Sequence, residues 1–249
     1  AEGGKPEPQE HAEDLAGRTA SNRPQETIAP MAETDRPRDA ASPDVVWDAG
    51  TCPRTERERL LGQRSATLWM TGISGSGKST VAAALERRLV DAGRLVYRLD
   101  GDNLRHGLNA DLGFSAEDRA ENVRRAGEVC RLLADTGAIV IATFISPFAK
   151  DRLACRRVHE AAGIPFLEVH VHCPLEIAES RDPKGLYRKA RSGGIAHFTG
   201  IGQDYEPPTD AEIDLDTSTL SIAASVDRLV DAIESVEVSR SISASVGGS

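Results

Sequence analysis

From residue 55 to 233 the apolar positions alternate between short unbroken runs and longer stretches repeating near 3.6 residues. Residues 55–61 (TERERLL) read as a short helix leading into 66–71 (ATLWMT), a run of buried-strand type. Residues 78–92 then set Val81, Ala84, Leu85 and Leu89 on one helical face, and Gly93 stops them. Residues 94–99 (RLVYRL) predict a second strand. A long helix over 115–136 follows, with Ser115 and Asp118 in a capping-box-like arrangement, Val123, Ala126, Cys130 and Leu133 on one face, and Gly137 as its stop. The nearly all-apolar run 138–144 (AIVIATF) has the signature of a strand covered on both faces. A helix over 148–162, a strand over 166–172 (FLEVHVH), a helical turn over 174–181, a short strand at 212–215 and a helix over 220–233 complete the series. Strands alternating with helices predict an α/β three-layer fold around a mostly parallel five-stranded sheet.

The first strand and its helix are joined by Gly72-Ile73-Ser74-Gly75-Ser76-Gly77-Lys78-Ser79, which fits G-x-x-x-x-G-K-[ST] in full. Glycines let backbone N–H groups turn toward a phosphate, and the following helix N-terminus adds a positive dipole. Lys78 is placed to reach the β and γ phosphates and Ser79 to hold Mg²⁺, and the ATP-binding set extends through Thr80. The strand ending at Phe144 is followed by Ile145 and Ser146, not by the metal-holding Asp usual in GTPases and motor ATPases, and no N-K-x-D guanine-reading motif occurs. The acids come instead after the second strand, in Asp100-Gly101-Asp102-Asn103. In a parallel sheet the carboxyl ends of neighbouring strands open on one crevice, so Asp100 and Asp102 are expected opposite the triphosphate. A carboxylate there positions or deprotonates an acceptor hydroxyl and helps to hold Mg²⁺, which suits a small-molecule kinase of the P-loop fold.

Composition bears on the ends of the chain. The formal charge of the 249 residues is −9, and the first 46 hold ten acids against five bases. Seven of the thirteen prolines precede residue 54 and no aromatic precedes Trp47, so residues 1–44 are expected to form a disordered acidic tail or interdomain linker. The kinase domain is expected over 45–236, and 237–249, rich in Ser and Gly at its end, as a flexible tail. A nearly charge-balanced remainder argues against a nucleic-acid partner. No apolar run is long enough for a membrane span, and the start lacks the basic and apolar parts of a signal peptide, so a cytoplasmic protein is expected. A chain that begins with Ala fits trimming or the end of a longer protein. Cys52, Cys130, Cys155 and Cys173 lack C-x-x-C spacing and read as reduced thiols. His170 and His172 share one strand face, but without a third ligand nearby they read as structural.

Five motifs then resemble one family in family order: GISGSGKST at 72–80, LDGDNLRHGLNADLGFS at 99–115, ENVRR at 121–125, FISP at 144–147 and RDPKGLYRKARSGGIAHFTG at 181–200. From about residue 46 to 233 the chain is similar to the adenylyl-sulfate kinases, which use ATP to phosphorylate the 3′-hydroxyl of adenosine 5′-phosphosulfate (APS) to PAPS. The resemblance implies that APS is bound by Asp100, Arg105, Phe114, Arg119, Asn122, Ile145, Ser146, Lys184 and Phe198, with its adenine between Phe114 and Phe198. Forked guanidinium groups match sulfate and phosphate oxygens, and aromatic rings stack on adenine. It also implies a phosphoserine intermediate at Ser146. Direct in-line transfer requires none, so the Ser146 loop is read as positioning substrate. Arg181, Lys184, Arg188, Lys189 and Arg191 resemble a basic lid that closes over the nucleotides, with Arg188 on ATP. Gly194 and Ala196 stand where the family often has Glu and Lys, which is expected to loosen closure. His172 stands where Asp is common, and Gly202 departs from G-I-D. The family further implies a homodimer and fusion or association with ATP sulfurylase. The competing readings are another P-loop small-molecule kinase, acting on a sugar acid or nucleoside monophosphate, and a catalytically weak nucleotide-binding domain.

Overall fold

The computed structural model describes residues 46, 48, 50–182, 184–194 and 198–246, with side chains as far as 237. The expected N-terminal tail and Ala196 lie outside them. The elements follow in the order α1 (Arg54–Leu61), β1 (Ala66–Thr71), α2 (Lys78–Asp91), β2 (Val96–Asp100), α3 (Gly101–Arg105), α4 (Ala116–Asp135), β3 (Ile139–Thr143), α5 (Ala149–Ala161), β4 (Phe166–His172), α6 (Leu175–Arg181), α7 (Leu186–Arg191), β5 (Ile213–Asp216) and α8 (Ile222–Val246). The strands form one sheet in the order β2-β3-β1-β4-β5, and every neighbouring pair is parallel. β1 and β3 are buried at every residue, as their all-apolar runs require of central strands.

Period-two alternation sends Leu68 and Met70 of β1 to the face covered by α2 and α8, where they join Val81, Leu85, Leu89, Leu215 and Leu229. Trp69 goes to the other face, with Val123, Ala126 and Cys130 of α4 and Cys155 of α5. Gly127 lets these two helices approach closely: a Cβ there would lie 2.6 Å from Cys155 Sγ. β1 therefore ends at the switch point of the sheet, between strands reached in opposite directions, where an open α/β fold places its ligand.

Three elements depart from the sequence pattern. α3 and α7 span five and six residues, too short to show a helical period, and local hydrogen bonds specify them. α8 runs to Val246 instead of stopping near 233, because no Gly or Pro interrupts residues 234–246; the backbone helix thus takes in most of the stretch expected as a flexible tail. Ser115 does cap α4, its side chain accepting from Asp118 N–H at 3.1 Å. Among the described residues no helix is long and apolar enough to cross a membrane, and the four cysteines are free thiols.

His159 gives the fold a pH dependence. Its ring is fully buried, with Nδ1 2.8 Å from the Cys155 carbonyl and Nε2 3.0 Å from the Thr67 hydroxyl, partners that suit a neutral imidazole donating from Nδ1. Burial pushes its pKa down to about 4. Below the unfolded value near 6.5 the unfolded chain binds the proton and the folded chain does not, so stability falls as pH drops from about 6.5 toward 4. Chemical denaturation at pH 5 should give a protein about 2 kcal/mol less stable than at pH 7 from this residue alone. His159→Gln should remove that difference.

Candidate active site

The loop after β1 turns where only glycine fits. A Cβ on Gly72 would lie 2.0 Å from the Val171 carbonyl oxygen, and one on Gly75, at φ +75°, 2.6 Å from that of Ala178. Ser74, Gly75, Gly77, Lys78, Ser79 and Thr80 line a cleft of about 570 Å³, while Gly72, Ile73 and Ser76 form the underside of the loop. The Ser76 hydroxyl is buried there without a hydrogen-bond partner. Lys78 opens α2 and folds back over the loop, its Nζ donating to the Gly72 and Ile73 carbonyls at 2.8 Å each. Burial pushes its pKa down to about 8, opposed by the Asp100 carboxylate and reinforced by the charge of Lys184.

Asp100, the last residue of β2, faces this loop across the cleft. Its Oδ2 accepts from Ser79 Oγ at 3.1 Å and from Thr143 Oγ1, at the end of β3, at 3.0 Å, while Oδ1 accepts from the Asp102 backbone N–H and caps α3. A hydroxyl and a carboxylate so placed are hard oxygen donors of the kind Mg²⁺ takes. Asp102 is exposed and forms an ion pair with Lys184, which reaches over from the basic segment.

The opposite wall is cationic and aromatic. Phe114 is 61% exposed, with the Arg105 guanidinium 4.3 Å and the Arg119 guanidinium 5.5 Å from its ring centre. Arg105 donates to the Leu112 and Gly113 carbonyls and Arg119 to that of Phe114, so the bend before α4 holds all three side chains together. Burial lowers the pKa of both arginines, and for Arg119 the Arg105 charge adds to it. Behind them Asn122 is buried, its Oδ1 accepting from the buried Asn109 Nδ2 at 3.0 Å.

Ile145 and Ser146 close the third side. At φ +39°, Ser146 has the sole non-glycine positive φ among the described residues, a backbone cost of roughly 1–3 kcal/mol. Its hydroxyl faces inward, accepting from Trp69 Nε1 at 3.1 Å and donating to Thr71 Oγ1 at 3.0 Å. Buried Arg152, paired with Glu168 at 2.6 Å, donates to the Ser146 carbonyl at 2.8 Å and to that of Glu206 at 2.8 Å. These bonds hold the strained loop in place.

A family model described as Adenylylsulphate kinase matches residues 64–216. The chain belongs to the adenylylsulphate kinase family. An adenylyl-sulfate kinase of Clostridium kluyveri is 52% identical over 190 residues, covering 76% of this chain and 94% of that one. Adenylyl-sulfate kinase 3 of Arabidopsis thaliana is 53% identical over 174 residues, covering 70% and 83%. Among solved structures, the Mycobacterium tuberculosis APS kinase CysC in complex with AMPPNP and APS superposes with a TM-score of 0.67 at 52% identity, covering 69% of this chain and 99% of that one. As a member of this family the chain is an ATP-binding kinase.

Two family-implied residues lie away from the cleft. Phe198 is buried edge-on against Tyr187, ring centres 4.9 Å apart, in a cluster with Cys173, Ala178 and Ala190, and does not line the cleft beside Phe114. Arg188 is exposed on α7, also outside the cleft lining. The glycine departure at 194 finishes a helix: Gly193 takes φ +78° and Gly194 N–H bonds the Lys189 carbonyl at 2.8 Å, a Schellman-type end to α7. Sequence reasoning missed Asn109, Thr143, Arg152 and Thr217. Thr217 binds the Ser76 carbonyl through its hydroxyl at 2.8 Å and takes two hydrogen bonds from Arg181, at 2.9 and 2.8 Å, which tie α6 to the phosphate loop. It also missed Asp214, whose carboxylate lies 2.8 Å from a ring nitrogen of His170 and of His172.

Proposed function

We propose that this kinase transfers the γ-phosphoryl group of ATP to the 3′-hydroxyl of APS, releasing ADP and PAPS. The observation that carries this reading is one cleft whose two ends suit the two nucleotides: the Gly72–Thr80 loop with the Ser79–Asp100 pair on one side, the Phe114–Arg105–Arg119 wall on the other. The exposed Phe114 ring offers a stacking platform for adenine, and the flanking guanidinium groups match phosphosulfate oxygens. The M. tuberculosis protein similar to this chain is described with AMPPNP and APS together.

Mg²⁺ would be held by Ser79 and Asp100, and it would draw charge off the transferring phosphoryl group. Lys78 balances charge at the β and γ phosphates. Asp102 holds or accepts the proton of the 3′-hydroxyl, and Lys184, now on Asp102, moves to a phosphate contact as the 181–191 segment closes over the nucleotides. Such catalysis is positioning plus charge stabilisation, and needs no covalent enzyme intermediate.

The inward hydroxyl of Ser146 supports a positioning role. Ser146→Ala should keep turnover within about fivefold, since it removes one buried hydroxyl and no group on the reacting atoms. Loss of activity to the level of the acceptor-free control would instead require the phosphoserine route. ADP release measured with APS, AMP, a sugar acid and no acceptor tests the substrate assignment. APS alone should stimulate it strongly, whereas stimulation by another acceptor, or nucleotide binding without turnover, would overturn the reading.

A further inference from the structure

On the sheet face that carries Trp69 and Thr71, outside the cleft lining, three metal-ligating side chains meet. His170 and His172 alternate onto the same face of β4, and the β4–β5 register sets Asp214 opposite His170. Asp214 Oδ1 lies 2.8 Å from His170 Nδ1, and Oδ2 lies 2.8 Å from His172 Nε2. The two imidazoles stack with centres 4.7 Å apart, and Tyr205 lies 6.1 Å from His170 on a nearly parallel plane. Among the described residues this is the group of three His, Cys, Asp or Glu side chains whose ligand atoms all come within 4.8 Å of one another.

We propose that His170, His172 and Asp214 form a binding site for a divalent transition metal of the zinc type, with water completing its shell. Two imidazole nitrogens and a carboxylate oxygen are a donor set that Zn²⁺ takes while keeping a position open, whereas Mg²⁺ and Ca²⁺ prefer oxygen alone. Tetrahedral zinc with bonds of about 2.0–2.2 Å holds its ligand atoms about 3.3 Å apart. The present separations, 2.8 Å from the carboxylate to each imidazole nitrogen and no more than 4.8 Å between any two ligand atoms, adjust to that by small side-chain rotations, with the strands unmoved. The two paired strands fix the ligand backbones in advance, which lowers the ordering cost of binding. Solvent access is on the Asp214 side, where the carboxylate is 62% exposed, while His170 is only 14% exposed and anchors the inner position. Tyr205 also shares a hydrogen bond with Thr71 at 3.1 Å, so a bound ion would brace the segment that lies against the Ser146 loop.

The test is equilibrium dialysis of the EDTA-stripped full chain against ZnCl₂, with excess Mg²⁺ present to occupy the phosphate site. The expected result is one equivalent of zinc bound at about 1 µM or tighter. His170→Asn and Asp214→Asn should each weaken binding by at least about 100-fold, whereas Cys52→Ser, which removes the exposed thiol, should leave it unchanged. Should the strand variants fold poorly, Co²⁺ bound to the unmodified protein decides the matter alone: visible bands of a tetrahedral nitrogen and oxygen site support the proposal, and thiolate charge-transfer bands contradict it. No zinc bound at stoichiometric level, or zinc retained by both strand variants, would leave the three residues as a hydrogen-bonded latch between β4 and β5 and overturn the proposal.

Discussion

Lys78→Met should lower kcat with APS by at least about 10²-fold, the usual loss when one preorganised charge donor on a transferring group is removed. The ammonium is buried at the start of α2 and already turned onto the phosphate loop by two 2.8 Å bonds, so its charge is delivered without reorganisation. Burying that charge costs the fold free energy, as its lowered pKa of about 8 records. Replacement by an uncharged side chain of similar length should therefore leave thermal stability unchanged or raised. The expected pattern is a collapse of kcat, a weaker KM for ATP, an unaltered KM for APS and an undiminished melting temperature. A parallel fall in stability and activity would assign Lys78 a structural part instead.

Asp100→Asn should be comparably damaging, with a different signature. The carboxylate ties the end of β2 to the end of β3 and to the first turns of α2 and α3, taking hydrogen bonds from Thr143, Ser79 and the Asp102 N–H. Asparagine keeps the Oδ1 acceptor that caps α3, but replaces the charged oxygen facing Ser79 with an N–H donor. The fold should survive while the proposed Mg²⁺ site loses its charged ligand. A fall in kcat of about 10²–10³-fold, with a rise of at least tenfold in the Mg²⁺ concentration giving half-maximal rate, is expected. Titration of the rate with Mg²⁺ in the variant and parent checks both. If Asp102→Asn shifts the Mg²⁺ requirement and Asp100→Asn does not, the two acids have exchanged roles.

What was legible in the sequence follows from how locally each feature is specified. β1, the glycine loop and α2 form one continuous signal, because an apolar run, three glycine positions and a 3.6 period all act within 25 residues of one another. The acids at Asp100 and Asp102 could be placed opposite the loop because a parallel sheet aligns its strand ends. α3 and α7 were not legible, being shorter than two helical turns. Phe198 illustrates a second limit: an aromatic in a glycine-containing stretch reads the same whether it faces a cleft or a core, and only Tyr187, eleven residues earlier, settles that it packs inward. The His170–His172 pair was visible as strand alternation, but its third partner comes from β5, 42 residues beyond His172, through a pairing no local pattern announces. Arg152 is a similar case, since nothing in the sequence of α5 separates it from Arg156 and Arg157 or hints that it is the one buried beneath the Ser146 loop.

The most direct test of the central claim is transfer of label from γ-³²P-ATP in the presence of Mg²⁺ and APS, with the product's position read by 3′-nucleotidase release. The account predicts one ADP formed per labelled product and all the label at the 3′ position, removable by that enzyme. ADP release no greater than in the APS-free control, or label on any other atom, would contradict it.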